Sequence, residues 1–245
     1  MFKRLNLSVV IGLIVFSSNS HGVGPAPRCS LETLRGTYLY ASSGIENGRV
    51  NAEGGIEVYD GRGSMNLVNV FKNGEVVVSK GQYKMGESCM GGGSYDLWGT
   101  TYVFYATPSG GQFTWNAIGG AKEWSGVNLR TTRSLNPSCT PKTLKGTYIY
   151  NVSGALNGAP YFESGKNIYD GVGVVRNIHL DARGKEITTE GKYTLGKYCA
   201  GSITLKDKES IAIYTGPKGD TVYEAPPADS LDSTIVGVEY RASKN

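Results

Sequence analysis

Histidine is scarce in this chain of 245 residues, which contains only His21 and His179. Neither is matched to a nucleophile, and the Gly-x-Ser-x-Gly elbow of many hydrolases is absent, so a serine or cysteine hydrolase is not indicated. The four cysteines lack the Cys-x-x-Cys spacing of zinc and redox sites. We therefore expect no metal site and no cofactor, and an enzyme is less expected than a binding protein.

Excess charge of one sign is also small. Lys and Arg number 25 against 21 Asp and Glu, and the formal excess of +4 falls to about +2 once Lys3 and Arg4 are assigned to a cleaved leader. A basic field strong enough to hold nucleic acid or anionic lipid is therefore not predicted. We expect no nucleic-acid partner, and the sequence indicates no particular protein partner.

Long apolar runs are absent except near the start of the chain. The run at residues 7–16 follows the basic pair Lys3 and Arg4 and precedes small polar residues, a pattern typical of a secretory signal peptide. It is about half the length that a bilayer span needs, so no membrane anchor is expected. Cys29 lies several residues beyond the expected cleavage point, which argues against lipidation. We predict a signal peptide at residues 1–22 and a secreted or periplasmic protein.

An internal repeat is the strongest signal present. Shifting the chain by 110 residues aligns residues 29–40 with residues 139–150, and both contain Leu-x-Gly-Thr-Tyr-x-Tyr. The alignment continues without a gap through Tyr-Asp-Gly-x-Gly at 59–63 and 169–173. A period this long indicates duplicated domains rather than a solenoid. We predict one domain at residues 23–135 and a second at 136–245.

Short segments rich in β-branched and aromatic residues alternate with turn residues in each copy, which predicts an all-β fold. Hairpin-short connections favour an up-and-down antiparallel barrel of eight strands in each copy, and two β-sandwiches are the alternative. The 35 glycines suit sharply bent strands. In the first copy the strands are predicted at 35–42, 54–59, 63–71, 75–84, 90–97, 100–107, 111–118 and 124–133.

Each copy contains two cysteines about 60 residues apart. In an oxidising compartment the simplest pairing joins Cys29 to Cys89 and Cys139 to Cys199, because a duplicated unit is expected to carry its own bridge. Such a loop closure is worth ~4 kcal/mol in the chain-entropy model.

Several repeated polar motifs are interpreted as structural. Asp-Gly within Tyr-Asp-Gly-x-Gly is typical of a type I′ hairpin turn. The tyrosine pairs 38/40 and 148/150 share one face of the first strand and are expected to pack. Paired-carboxylate chemistry at Glu53 and Glu163 stays open, although two equivalent surface glutamates are the simpler expectation.

The first copy is richer in large aromatic residues, since it holds all three tryptophans, Trp98, Trp115 and Trp124. Phe113 and Trp115 alternate on one strand and so share a face. An eight-stranded barrel either fills its interior or keeps room for one small ligand. The rings are expected to form the core, or alternatively a binding site in the first barrel. The candidate ligand-binding residues are Trp98, Tyr102, Phe104, Phe113 and Trp115.

Each copy resembles a broad group of secreted bacterial domains that are similar to lipocalins and to the allene oxide cyclase barrel. The resemblance is carried by Cys-x₄-Leu-x-Gly-Thr-Tyr-x-Tyr, by Tyr-Asp-Gly-x-Gly and by Gly-x-Tyr-x-x-Gly-x-x-Cys-x-Gly, as at 81–91 and 191–201. It implies a calycin-like barrel that binds small apolar molecules, and it places no catalytic residue.

Three functions follow as hypotheses. The first is a secreted, non-catalytic protein that holds a small apolar or aromatic ligand in a barrel. The second is a structural or interaction module of the cell envelope or extracellular space, with both barrels filled. The third is a cyclase or isomerase acting by confinement, which requires a buried ionisable group with a shifted pKa inside one barrel.

Overall fold

The structure is a computed structural model that describes residues 28–46, 48–96, 99–118, 122–156, 158–181, 183–206, 210–230 and 233–244. The predicted leader at 1–22, together with His21 and Trp98, lies outside the described residues. Among the described residues, no helix has the length and apolar character needed to cross a membrane.

The first copy forms a closed antiparallel barrel, here barrel 1. Each strand pairs with the next, and the last strand pairs with the first. The hairpin between the first two strands is longer than predicted. The strands are β1 (Gly36–Glu46), β2 (Arg49–Tyr59), β3 (Ser64–Val70), β4 (Val76–Met85), β5 (Met90–Tyr95), β6 (Thr101–Ala106), β7 (Gln112–Ile118) and β8 (Lys122–Thr132).

The second copy forms barrel 2, which closes in the same way. The predicted fold class of two tandem eight-stranded antiparallel barrels is therefore confirmed, and the sandwich alternative is wrong. The strands are β9 (Gly146–Leu156), β10 (Ala159–Tyr169), β11 (Val174–Leu180), β12 (Glu186–Tyr193), β13 (Ala200–Leu205), β14 (Ser210–Thr215), β15 (Thr221–Ala225) and β16 (Val236–Ser243).

Both predicted disulfides are present. Cys29 bonds to Cys89 with a Cα–Cα distance of 5.0 Å, and Cys139 bonds to Cys199 at 4.8 Å. Each bridge joins the segment before the first strand of its barrel to the residue that precedes the fifth strand, so it fastens the start of the chain to the barrel wall. Disulfides of this kind are typical of an environment outside the cytoplasm.

One end of barrel 1 is closed by a short helix and a cluster of aromatic side chains. A 3₁₀ helix at Leu31–Leu34 enters β1, and its Leu34 side chain is fully buried. Below it, Tyr59 packs edge-to-face against Tyr38, Tyr83 and Phe113, with ring centroids 4.9 to 5.5 Å apart. Edge-to-face packing is a favourable geometry for aromatic rings. The opposite end carries the β1–β2 hairpin and is not covered by this aromatic cluster.

The Tyr-Asp-Gly-x-Gly segments connect strands, but not as two-residue type I′ turns. In barrel 1, residues 60–63 lie between β2 and β3. The carboxylate of Asp60 accepts hydrogen bonds from the backbone N–H groups of Arg62 at 2.7 Å and Ser64 at 3.0 Å. The motif is therefore a turn, as predicted, but the turn is longer because the Asp side chain accepts hydrogen bonds from backbone N–H groups that follow it in the chain.

The two barrels pack against each other through apolar outer faces. Ile56 and Val58 of β2 belong to one buried cluster with Tyr214 and Ala225 of barrel 2. Gly54 lies at the closest approach, since a Cβ built there would stand 2.9 Å from the Cβ of Ala225. A side chain at this position would push the barrels apart.

Candidate functional site

A cavity of about 590 Å³ occupies the open half of barrel 1. Its deep part is lined by Tyr40, Glu57 and Leu67, and its mouth by Glu46, Arg49 and the segment around Ser230. Inward-facing residues line it because alternate residues of a strand point to the same side.

The cavity contains some of the predicted ligand-binding residues. Tyr102 and Trp115 lie in its wall, where their ring centroids are 5.8 Å apart. Phe104 and Phe113 are fully buried in the aromatic cluster towards the closed end. The predicted Trp98 lies outside the described residues. Trp124, which is not among the predicted ligand-binding residues, also lines the cavity.

Gly126 makes room for Trp115 in this wall. The two residues are paired across β7 and β8, and a Cβ at Gly126 would come within 2.6 Å of the indole ring. The indole therefore packs directly on the glycine, and the Cβ of an alanine at this position would clash with the ring.

Glu57 is a buried carboxylate at the base of the cavity, and it is 2% exposed. Its Oε2 accepts hydrogen bonds from the hydroxyl of Tyr59 at 2.7 Å and from Nδ2 of Asn128 at 2.5 Å. Its Oε1 accepts one from the hydroxyl of Tyr95. Three donors from three different strands thus converge on one carboxylate.

The direction of this network is fixed by Trp115. Its indole Nε1 donates to Oδ1 of Asn128 at 3.0 Å, and an indole nitrogen can only donate. The amide nitrogen of Asn128 must therefore face Glu57. A charged acceptor is what such a donor chain stabilises.

Burial raises the pKa of Glu57 to about 7, while the hydrogen bonds from Tyr95, Tyr59 and Asn128 oppose that rise. Burial and the nearby Glu57 raise the pKa of both Tyr59 and Tyr95 well above their usual value. These phenols stay protonated at neutral pH, and Glu57 is the group that titrates.

Glu53 is the second carboxylate of the cavity, and the expectation of two equivalent surface glutamates is wrong. Its Oε1 accepts hydrogen bonds from Tyr40 at 2.5 Å and from Asn69 at 2.8 Å. Its counterpart Glu163 accepts one from Tyr150 at 2.6 Å. Both side chains are half-buried because each lies on the inward face of the second strand of its barrel.

Barrel 2 supplies part of the mouth of barrel 1. The β15–β16 connection runs from Ala225 to Val236, whereas the equivalent connection in barrel 1 joins Ile118 to Lys122. The longer connection brings Pro227, Ala228 and Ser230 to the cavity.

Three hydrogen bonds hold this connection and its neighbour Tyr214 against the β3–β4 turn. The N–H of Ala228 donates to the carbonyl of Val70 at 2.9 Å, and the N–H of Val70 donates to the hydroxyl of Tyr214 at 2.9 Å. Asp229 accepts from the N–H of Lys72 at 2.7 Å. The cavity is thus a joint product of both repeats.

Two buried polar atoms in the cavity wall have no hydrogen-bond partner among the described residues, namely Nε1 of Trp124 and the hydroxyl of Ser230. Leaving such a group unsatisfied costs about 1–3 kcal/mol. Both atoms have almost no accessible surface, so they lie within the wall rather than at the cavity surface.

The centre of barrel 2 repeats the arrangement with the acid exchanged. Glu239 is equivalent to Asn128, because each is the cross-strand partner of the second tyrosine in the first strand of its barrel. Asn167 is equivalent to Glu57, because each is the partner of the first tyrosine of that strand. Tyr169 donates to Glu239 at 2.6 Å.

A second buried acid, Glu224, lies close enough to Glu239 for the two carboxyl groups to interact electrostatically. Burial raises the pKa of both carboxyl groups, and repulsion by Glu239 raises that of Glu224 further. Such a pair is stable when it holds one proton between the two groups.

Sequence reasoning missed Glu57 and the acids of barrel 2. A usable signal existed, because Glu57 lies two residues before Tyr59 and so shares its inward face. The remaining histidine, His179, bonds through Nδ1 to Oδ1 of Asn177 at 2.8 Å. Within the described ranges, no group of three or more His, Cys, Asp or Glu side chains is placed to hold a metal ion.

No family model matches this chain, and no curated protein matches it. One solved structure to which it is similar is a protein of unknown function from the DUF3598 family of Nostoc punctiforme. The identity is 11%, the alignment covers 88% of this chain and 100% of that chain, and the TM-score is 0.24. A likeness at this level assigns neither a family nor an activity.

Proposed function

We propose that this is a secreted or periplasmic, calycin-like binding protein that holds one small apolar or aromatic molecule in barrel 1. The observation that carries the proposal is the cavity of about 590 Å³, with tryptophan and tyrosine rings in its wall. Sites for small molecules commonly have volumes of about 300–1,000 Å³ and mainly apolar linings with a few placed polar groups.

Native mass spectrometry of the oxidised protein, purified from a periplasm, tests the proposal. We expect a bound molecule in the native spectrum that disappears on denaturation and is absent in Trp115→Ala. The matched control is Tyr240→Ala, which removes an aromatic ring that is 60% exposed on the outside of barrel 2. This control should keep the ligand.

A clean apo mass that persists after incubation with lipid and aromatic extracts would contradict a binding role and favour the structural alternative. Loss of ligand in both variants would show that the molecule is not held in the barrel 1 cavity.

An enzyme of the cyclase or isomerase kind is the second candidate, and Glu57 favours it. A carboxyl group with a pKa of about 7 at the base of a cavity lined by aromatic rings is suited to proton transfer near neutral pH. This candidate predicts that the bound molecule changes mass or isomeric form with time in the wild type and remains unchanged in Glu57→Gln.

A further inference from the structure

We propose that the ligand of barrel 1 is a cation, an amine or quaternary ammonium whose charged end lies against Glu57 and whose apolar or aromatic body packs on the cavity-facing side of Trp115 and Tyr102. This inference rests on the proposed function, because it names the chemical class of the molecule held in the same cavity.

The charge of Glu57 is stabilised only by neutral donors. Tyr59, Tyr95 and Asn128 each give it one hydrogen bond, and within the described part of the chain no Lys, Arg or His forms an ion pair with it. A buried charge is costly unless it is paired. Glu57 lines the cavity, so the missing positive charge can come from a ligand.

Other acidic side chains lie near Glu57 in the cavity. Among the described residues, its lining contains the acids Glu46, Glu53 and Glu57, together with Arg49 at the mouth. The deep half thus holds two carboxylates. The buried carboxylate of Glu57 repels an anionic ligand and attracts a cationic one.

The wall offers the rings that such a ligand needs. Tyr95 and Tyr102 stack with ring centroids 5.4 Å apart, and Trp115 lies 5.8 Å from Tyr102. An ammonium group is attracted to the faces of aromatic rings, most strongly to tryptophan. A neutral apolar molecule would gain from the rings but would leave Glu57 without a counter-charge.

Affinity should depend on pH through Glu57. The groups that face it are Tyr38 on β1, Tyr59 and Glu53 on β2, Tyr95 on β5, Tyr102 on β6 and Asn128 on β8. The pKa values of the four tyrosines are raised, so these phenols stay neutral. When the pH falls below the Glu57 pKa of about 7, a proton on this carboxylate competes with the cation.

Three probes of similar size and different charge test the proposal by isothermal titration calorimetry and tryptophan fluorescence. Benzyltrimethylammonium is permanently positive, neopentylbenzene is its neutral carbon isostere, and phenylacetate is negative. We expect benzyltrimethylammonium to bind the unliganded full chain at least about tenfold more tightly than neopentylbenzene. Its affinity should fall as the pH is lowered from 8 to 5.5, and that of neopentylbenzene should stay constant.

Glu57→Gln should lose the preference for the cation and keep the affinity for neopentylbenzene. The matched control is Glu239→Gln, which alters a buried acid at the centre of barrel 2 and should keep the preference. If Glu57→Gln does not fold, the pH dependence of the wild type still decides the matter.

Equal or tighter binding of neopentylbenzene or phenylacetate, or a cation affinity independent of pH, would overturn the cationic class and leave the cavity as a binding site. No binding of any of the three probes would instead overturn the proposed function of the cavity.

Discussion

Glu57 should make barrel 1 less stable as the pH rises, and Glu57→Gln should remove that dependence. The carboxyl group has an ordinary pKa of 4.5 and a pKa of about 7 in the folded protein, because burial penalises its charged form. The folded state therefore binds the proton more tightly than the unfolded state. Its stabilising contribution is complete below pH 4.5 and is lost as the pH rises through about 7.

The size of the effect follows from these two values. Each pKa unit corresponds to about 1.4 kcal/mol, so the wild type should lose roughly 3 kcal/mol relative to Glu57→Gln between pH 4 and pH 8. Any cost of fitting the amide is independent of pH and cancels in this comparison. The acids Glu224 and Glu239 shift in the same direction but are present in both proteins, so they cancel as well.

Urea unfolding followed by tryptophan fluorescence measures this difference. All three tryptophans precede residue 135, so the signal reports on the first repeat. The ligand-free proteins are compared at several pH values between 4 and 8. Parallel plots of unfolding free energy against pH for the two proteins would refute the assignment of Glu57 as a buried titrating group. A wild type that gains stability relative to the variant as the pH rises would show that the pKa of Glu57 is lowered rather than raised.

Three further perturbations address the fold and the mouth of the cavity. Gly54→Leu should cost about 1–3 kcal/mol and widen the separation of the barrels in small-angle scattering, while Gly196→Leu, at a position with open space, should not. Replacing both cysteines of the barrel 1 disulfide by serine should lower the free energy of unfolding by about 4 kcal/mol in chemical denaturation, and an unchanged midpoint would refute the entropic argument. Asp229→Ala should speed hydrogen exchange at the Lys72 amide, and unaltered exchange would show that the segment is held without this bond.

The sequence was sufficient to predict the fold. Strand-forming residues between short turns allow few connections other than hairpins, and cysteines in register between the copies allow each domain its own bridge. The repeat therefore predicts the partners of Cys29 and Cys139. These features are local or repeated, which is why a single sequence reveals them.

The cavity was only partly predictable. The aromatic excess of the first copy pointed to Tyr102 and Trp115, but comparison of the repeats concealed Glu57 because its aligned partner is Asn167. The contribution of the segment around Ser230 depends on how two barrels dock, and this long-range arrangement leaves no pattern in the sequence.

The exchange of Glu and Asn between the barrel centres describes an accessible evolutionary route. Two substitutions separate the pair Glu57 and Asn128 from the pair Asn167 and Glu239, so a stepwise path passes through a barrel with two acids or two amides. Barrel 2 already holds two neighbouring buried acids, Glu224 and Glu239, so a barrel of this size accommodates an intermediate of that kind. A path through two acids would transfer the buried acid between the two strands that flank the first strand of the barrel, and a buried acid would be present at every step.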